Sequence, residues 1–382
     1  MKKIITIIGA RPQIIKSAAI SRAIKNHFNS QLEEIVVHTG QHYDKNMSDV
    51  FFSEMEIPQP AYNLGVGSGS HAAQTAKMLI GVENILTKEN ADALLVYGDT
   101  NSTLAGSTAA AKLNVPVIHV EAGLRSFNKT MPEEINRVVC DHLSTLLFSP
   151  TKKGLKNLIN EGFKENNKPP FNADNPKIYH CGDIMYDNSI YYAKKIESKK
   201  SIIDELELKD TPFYLCTIHR NNNTDDQERL TQIIEALMEI TTLKSTHKIV
   251  LPIHPRTKNC IQTNLSETVL NELESNDNII IIPPQSFFNI IALENNCDLV
   301  ITDSGGLQKE AYFFEKACII LRSETEWVEI VENGNAIVTD ANRNKIVEAV
   351  KFFDENKKLT FPLLYGDGKA AEFICEEIIK HI

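Results

Sequence analysis

What constrains this chain most is a recurrence. Short apolar runs return along its length: IITIIG (4–9), EIVVHTG (34–40), ALLVYGD (93–99), VPVIHVE (115–121), LLFSP (146–150), KIYHCGD (177–183), FYLCTIH (213–219), KIVLPIH (248–254), NIIIIP (278–283), LVITDS (299–304) and ACIILR (317–322). Most are hydrophobic at nearly every position instead of alternating. A strand wetted on one face alternates, whereas a strand covered on both faces does not. Segments of helical period separate the runs, for example 12–27, 68–89 and 226–241. Repeated strand–helix units predict an α/β fold of doubly wound parallel sheets.

The chain has 382 residues, enough for two domains at roughly 100–200 residues each. Residues 164–176, KENNKPPFNADNP, are polar, rich in Pro and Asn, and lack apolar period, so they mark a boundary. The expected division is a Rossmann-like unit over 1–170, completed by an amphipathic closing helix within 366–382, and a second Rossmann-like unit over 177–365. A net charge of −10 argues against nucleic acid as a partner, because phosphate contacts need a basic surface. It leaves room for a local basic pocket. No apolar run approaches the ~20 residues of a membrane span, and MKKIITIIGA reads as a first strand and not a signal peptide. Seven scattered cysteines without a CxxC pair read as buried free thiols, consistent with a cytoplasmic protein.

The polar residues cluster where the apolar runs stop. GARPQ, TGQH, GDTNS and EAGLR follow runs in the first half; IHRN, IHPR, TDSGG and LRSETE follow runs in the second. Open parallel sheets bind ligands at the carboxyl ends of their strands, so two such faces are expected to share one ligand in a cleft. Ser304, Gly305 and Gly306 end a strand and open a helix pattern, where backbone N–H groups and the helix dipole favour an anion; a plain tight turn is the alternative. Glu310 lies about one helical turn further on, placed for ribose hydroxyls. Arg11 and Lys16 suit a diphosphate or simply a solvated helix start. Asp99 could be an acid/base or a helix N-cap. Glu121 gains nothing from core packing. Glu133 and Glu134 could be first-turn helix charges. His219 and His254 each end a strand beside the anion site. Neither GxGxxG nor GxxxxGK[ST] occurs, and no residue cluster has zinc spacing.

Taken together, GARPQIIK, TGQH, VYGDTNSTLAG, HVEAGLRS, MPEEINR, TIHR, TDSGGLQKEA and GDGKAAE resemble, in order and spacing, the non-hydrolysing UDP-N-acetylglucosamine 2-epimerases. The resemblance spans nearly the whole chain. It implies a GT-B-like pair of Rossmann-like domains, with the last helix crossing between them. The implied reaction interconverts UDP-GlcNAc and UDP-ManNAc by anti elimination of UDP to 2-acetamidoglucal and syn re-addition, with no cofactor or metal. Elimination is needed because no carbonyl acidifies C2–H. The residues implied are Asp99, Glu121, Glu133 and His219 as catalytic groups, with Arg11, Lys16, His254, Gln285, Ser304, Gly305, Gly306, Glu310 and Arg322 on the UDP-sugar. The partners expected are a UDP-sugar and UDP, and the assembly a homodimer. There are departures from the family's usual residues. Ala10 and Gln13 replace Thr and Glu, Asn221–Asn223 alter the stretch after His219–Arg220, and Trp327 replaces an arginine. These resemble the branch acting on UDP-2,3-diacetamido-2,3-dideoxy-glucuronate. There Trp327 would wall the C3 acetamido group, and Arg125 or Arg322 would meet the C6 carboxylate. A GT-B glycosyltransferase is the more distant alternative.

Overall fold

The computed structural model describes residues 1–40, 52, 54–196, 201–356 and 358–382. Gln41 and His42 of the TGQH stretch lie outside them. The chain forms two compact units, Met1–Asn188 with Leu363–Ile382, and Ser189–Pro362.

The first unit is built on a seven-stranded sheet of order β3-β2-β1-β4-β5-β6-β7. The strands are β1 Lys2–Ile8, β2 Leu32–His38, β3 Tyr62–Asn63, β4 Ala93–Tyr97, β5 Val117–Val120, β6 Leu146–Ser149 and β7 Lys177–His180. Every pairing is parallel. Ile4, Ile5, Ile7 and Ile8 of β1 are all buried, because helices cover both faces of the sheet; this is why the run does not alternate. The closing helix, Ala370–His381, packs on the helix Arg11–Ala23.

The second unit carries a six-stranded parallel sheet of order β10-β9-β8-β11-β12-β13. Its strands are β8 Phe213–Thr217, β9 Lys248–Pro252, β10 Ile279–Ile282, β11 Leu299–Thr302, β12 Ala317–Ile320 and β13 Ala336–Val338. In each sheet the winding direction reverses once, between β1 and β4 and between β8 and β11. Those reversals open a crevice at the strand ends, the place where such sheets hold ligands.

One boundary differs from expectation. The expected second unit runs over 177–365, whereas residues up to Asn188 and from Leu363 onward belong to the first; β7 adds to the first sheet by pairing with β6 from Leu146↔Lys177 to Ser149↔His180. The polar 164–176 segment leaves and re-enters the same unit. Among the described residues no helix is long and apolar enough to cross a membrane. All seven cysteines are free, and only Cys181 and Cys260 are partly exposed.

Candidate active site

In the first unit the reversal point lies between the ends of β1 and β4. Ala10 caps the helix Arg11–Ala23 with Pro12 in its first turn, as proline's fixed φ favours. Gln13 is buried and ties this turn to β4. Its Oε1 accepts from Gly9 N at 2.9 Å and Ala10 N at 3.2 Å, and its Nε2 donates to Tyr97 O at 2.9 Å and Thr103 Oγ1 at 3.0 Å. Gln13 is therefore a strut and not a substrate contact. Only an amide, with one acceptor and two donors, satisfies all four partners.

Gly98 follows β4 with φ +60, and Asp99 comes next. Asp99 is not the N-cap of the following helix; Thr100 is, accepting from Thr103 N. The Asp99 carboxylate turns instead to Arg137 Nη2, and its carbonyl accepts from Asn136 Nδ2 at 2.8 Å. On the neighbouring strand Glu121 has φ +75, a left-handed backbone that costs a non-glycine residue about 1–3 kcal/mol. It is held there because Glu121 N and Ala122 N both donate to Phe148 O at 3.0 Å. The Glu121 carboxylate pairs with Lys16 Nζ, and both side chains are 15% exposed. A Cβ at Gly98 would lie 3.5 Å from both charged groups. Asp99 and Glu121 thus end adjacent strands, each beside its own cation.

Glu134, the neighbour of Glu133, is buried. It accepts from Ser126 N at 2.8 Å, Ser126 Oγ at 3.0 Å and Phe127 N at 3.0 Å, and pairs with Arg137 Nη1 at 3.3 Å. Burial alone would raise its pKa, but these donors outweigh it and hold the group below the usual glutamate value. It latches the loop that precedes its helix. Glu133, by contrast, is exposed on the first turn.

Beneath these groups His119 is fully buried. Its Nδ1 lies 2.7 Å from Asp141 Oδ1 and its Nε2 lies 2.8 Å from Gly98 O. Both partners are pure acceptors, so both ring nitrogens carry protons and the ring is an imidazolium. Burial opposes that charge, but Cys140 and the Asp141 carboxylate outweigh it and keep the pKa well above the ordinary histidine value. Asp141 also takes Arg125 Nη2 at 2.7 Å, and Arg125 reaches Glu161 through Nε and Nη2, each at 2.7 Å. The Arg125 side chain is 1% exposed, so it is not a free cation for a substrate carboxylate, contrary to one expectation above.

In the second unit the reversal point lies between β8 and β11. Ser304 caps the helix Gly305–Phe313, leaving the N–H groups of Gly305 and Gly306 at a helix N-terminus. Glu310 lies within that helix. Trp327 does not form an exposed wall. It is 8% exposed, its Nε1 donates to Gly305 O at 2.8 Å, and Lys309 Nζ sits 4.5 Å from its ring centroid. The indole N–H of this buried side chain finds a backbone partner and braces the glycine turn. Arg322 pairs with Glu326 at 2.7 Å. Glu326 leans over the turn, since a Cβ at Gly305 would lie 2.4 Å from its Oε1. His254 caps its own helix, accepting from Arg256 N at 3.4 Å, and is exposed. Gln285 Nε2 donates to Pro283 O at 2.8 Å, and its Oε1 accepts from Asn289 at 2.8 Å.

His219 follows β8 and is exposed; Asp303 follows β11 and is fully buried. Their side chains meet at 2.9 Å, His219 Nδ1 to Asp303 Oδ1. Asp303 was missed from sequence, where TDSGG drew attention to its glycines. The usable signal is an acid ending the strand that pairs with the histidine's own strand, and this becomes visible once Thr302 is set against Thr217.

Residues 23–379 match the family model described as UDP-N-acetylglucosamine 2-epimerase. The chain is 46% identical over 375 residues to a Methanococcus maripaludis protein named UDP-N-acetylglucosamine 2-epimerase homolog, covering 98% of each. It is 44% identical over 378 residues to the UDP-2,3-diacetamido-2,3-dideoxy-D-glucuronate 2-epimerase of Pseudomonas aeruginosa, covering 99% of each. It superposes with a TM-score of 0.80 and 40% identity on the crystal structure of Methanocaldococcus jannaschii UDP-GlcNAc 2-epimerase in complex with UDP-GlcNAc and UDP, covering 99% of each chain. With its two doubly wound parallel sheets, and with likeness sustained over nearly its whole length, the chain belongs to the UDP-N-acetylglucosamine 2-epimerase family.

Proposed function

We propose that this chain interconverts UDP-GlcNAc and UDP-ManNAc without releasing free sugar. The observation that carries the reading is the pair Asp99 and Glu121. These are carboxylates at the ends of adjacent strands, each beside a cation, Glu121 on strained backbone. In the proposed reaction the C1–O bond breaks to release UDP while a carboxylate takes the proton from C2. UDP oxygen then re-attacks C1 as a proton is delivered to the opposite face of C2. Two proton-transfer groups are required, and no oxidant or reductant. Asp99, Glu121 and Glu133 are the proposed acid/base set. Exposed Glu133 would have to meet the substrate from the helix start. His219, Ser304, Gly305, Gly306 and Arg11 are assigned to the diphosphate, with Lys16 holding Glu121. Glu310 and Gln285 are assigned to the nucleoside, and His254 and Arg322 to the rim of its site.

A second reading, epimerisation of UDP-2,3-diacetamido-2,3-dideoxy-glucuronate, draws support from the 44% identical relative of that name. The argument from an exposed Trp327 wall no longer supports it, because that side chain is committed to Gly305. The test is product analysis with each nucleotide sugar. UDP-ManNAc from UDP-GlcNAc is the expected outcome. A kcat/KM more than ~100-fold higher for the uronate, worth about 2.7 kcal/mol, would select the second reading. Asp99→Asn and Glu121→Gln should each lower turnover by about 10²–10⁴; near-normal turnover in either would remove that residue from its role.

A further inference from the structure

We infer that Asp303 is a positioning residue that fixes the proton of His219 on Nδ1 and presents Nε2 as a bare acceptor at the strand-end site. The inference deepens the proposed function and rests on its assignment of His219.

The Asp303 carboxylate is completely buried and takes donors from several directions. His219 N lies 3.1 Å from each of its oxygens. Arg220 N donates to Oδ2 at 3.0 Å and Asn223 Nδ2 to Oδ2 at 3.1 Å. His219 Nδ1 lies 2.9 Å from Oδ1. Burial would push the Asp303 pKa up, but the His219 ring and these N–H donors outweigh it and keep the group below the usual aspartate value. An ionised carboxylate has no proton to give, so the bond to Nδ1 must use a ring N–H. In the neutral ring the proton therefore stays on Nδ1 and the lone pair on Nε2.

The brace is itself braced. Asn223 also donates to Leu321 O at 2.9 Å, and its Oδ1 accepts from Arg229 Nε at 3.2 Å and Nη2 at 2.9 Å. The ring is half exposed, with 53% of its side-chain area open, and Nε2 meets no partner among the described residues. A ring held on one nitrogen and open on the other can accept a proton, or donate one after protonation, from a fixed direction. One carboxylate thus sets the tautomer, the ring plane and the backbone of residues 219–220 together.

Asp303→Asn keeps one acceptor oxygen for the backbone but turns an amide N–H toward the ring. His219 would then accept through Nδ1, its proton would move to Nε2, and the exposed nitrogen would no longer be a base. Turnover should fall by about 10²–10⁴ with UDP binding retained, and His219→Asn should fall in the same range. The double variant should be no worse than His219→Asn within about 3-fold, because residues acting as one unit are not additive. In wild type labelled with 15N-histidine, the neutral His219 resonance should report a proton on Nδ1. Near-normal turnover in Asp303→Asn beside an inactive His219→Asn, losses that multiply in the double variant, or a wild-type proton on Nε2 would each overturn the inference. Undiminished turnover in His219→Asn would strike instead at the proposed role of His219, and the wild-type spectrum would still decide whether Asp303 sets the tautomer. That spectrum needs no variant to fold.

Discussion

Each unit places a histidine against a buried aspartate, and the two pairs do opposite things. His119 faces Asp141 on one nitrogen and the Gly98 carbonyl on the other, with no ring nitrogen left for a ligand. His219 faces Asp303 on one nitrogen and is open on the other. The aspartate does not decide the role; the second nitrogen does. Two acceptors make a buried imidazolium that can only hold structure, here the turn that carries Asp99. One acceptor makes a ring that can exchange a proton. The same contrast runs through the surrounding groups. Gln13, Glu134 and Arg125 are bonded in several directions and shape the first unit's strand ends, while Asp99 pairs with Arg137 and Glu121 with Lys16 where those strands end.

The largest expected effect breaks the inert pair. His119→Ala leaves the Gly98 carbonyl without its donor and Asp141 short of one, so the unit should lose about 3–5 kcal/mol in urea unfolding, the range for breaking a buried ion pair. His219→Ala takes one of several donors from the buried Asp303 carboxylate and should cost less, about 1–3 kcal/mol, while turnover collapses. Equal stability losses in the two variants would erase the distinction. A smaller effect is expected at the strut. Gln13→Glu sets a carboxylate against the Tyr97 carbonyl and removes a donor, which should cost about 1–3 kcal/mol by the same measurement. An unchanged unfolding midpoint would mean that Nε2 is not needed.

A pH series sharpens the comparison further. The folded pKa of His119 lies well above its unfolded value, which is about 6.5. Its contribution to stability is therefore complete below about pH 6.5 and is lost as pH rises toward the folded pKa. Wild type should lose stability relative to His119→Ala above pH 6.5, and a difference that stays flat to pH 9 would contradict the doubly bonded imidazolium.

The sheets were legible in sequence because strands covered on both faces are apolar throughout, and their polar ends were legible for the same reason. The three-residue β13 was too short to stand out. The 164–176 segment has the composition of a linker, yet composition cannot say that the chain returns to β6. Glu133 and Glu134 occupy the same helical turn, and only the path of residues 126–127 decides which one is buried. Trp327 shows the limit most plainly: its size and loss of charge could be read, but the direction of its indole N–H could not. Asp303 was hidden because its partner is distant in sequence and adjacent only through the β8–β11 register.

The central claim is that the C2 proton leaves and returns through carboxylates of the first unit. Turnover of UDP-GlcNAc in deuterium oxide, followed by proton NMR of the recovered nucleotide sugars, tests it directly. The account predicts deuterium at C2 in both UDP-ManNAc and recovered UDP-GlcNAc, with the label arriving only as epimer forms and about 10²–10⁴-fold more slowly in Asp99→Asn or Glu121→Gln. Product that keeps its original hydrogen at C2 throughout turnover would contradict it.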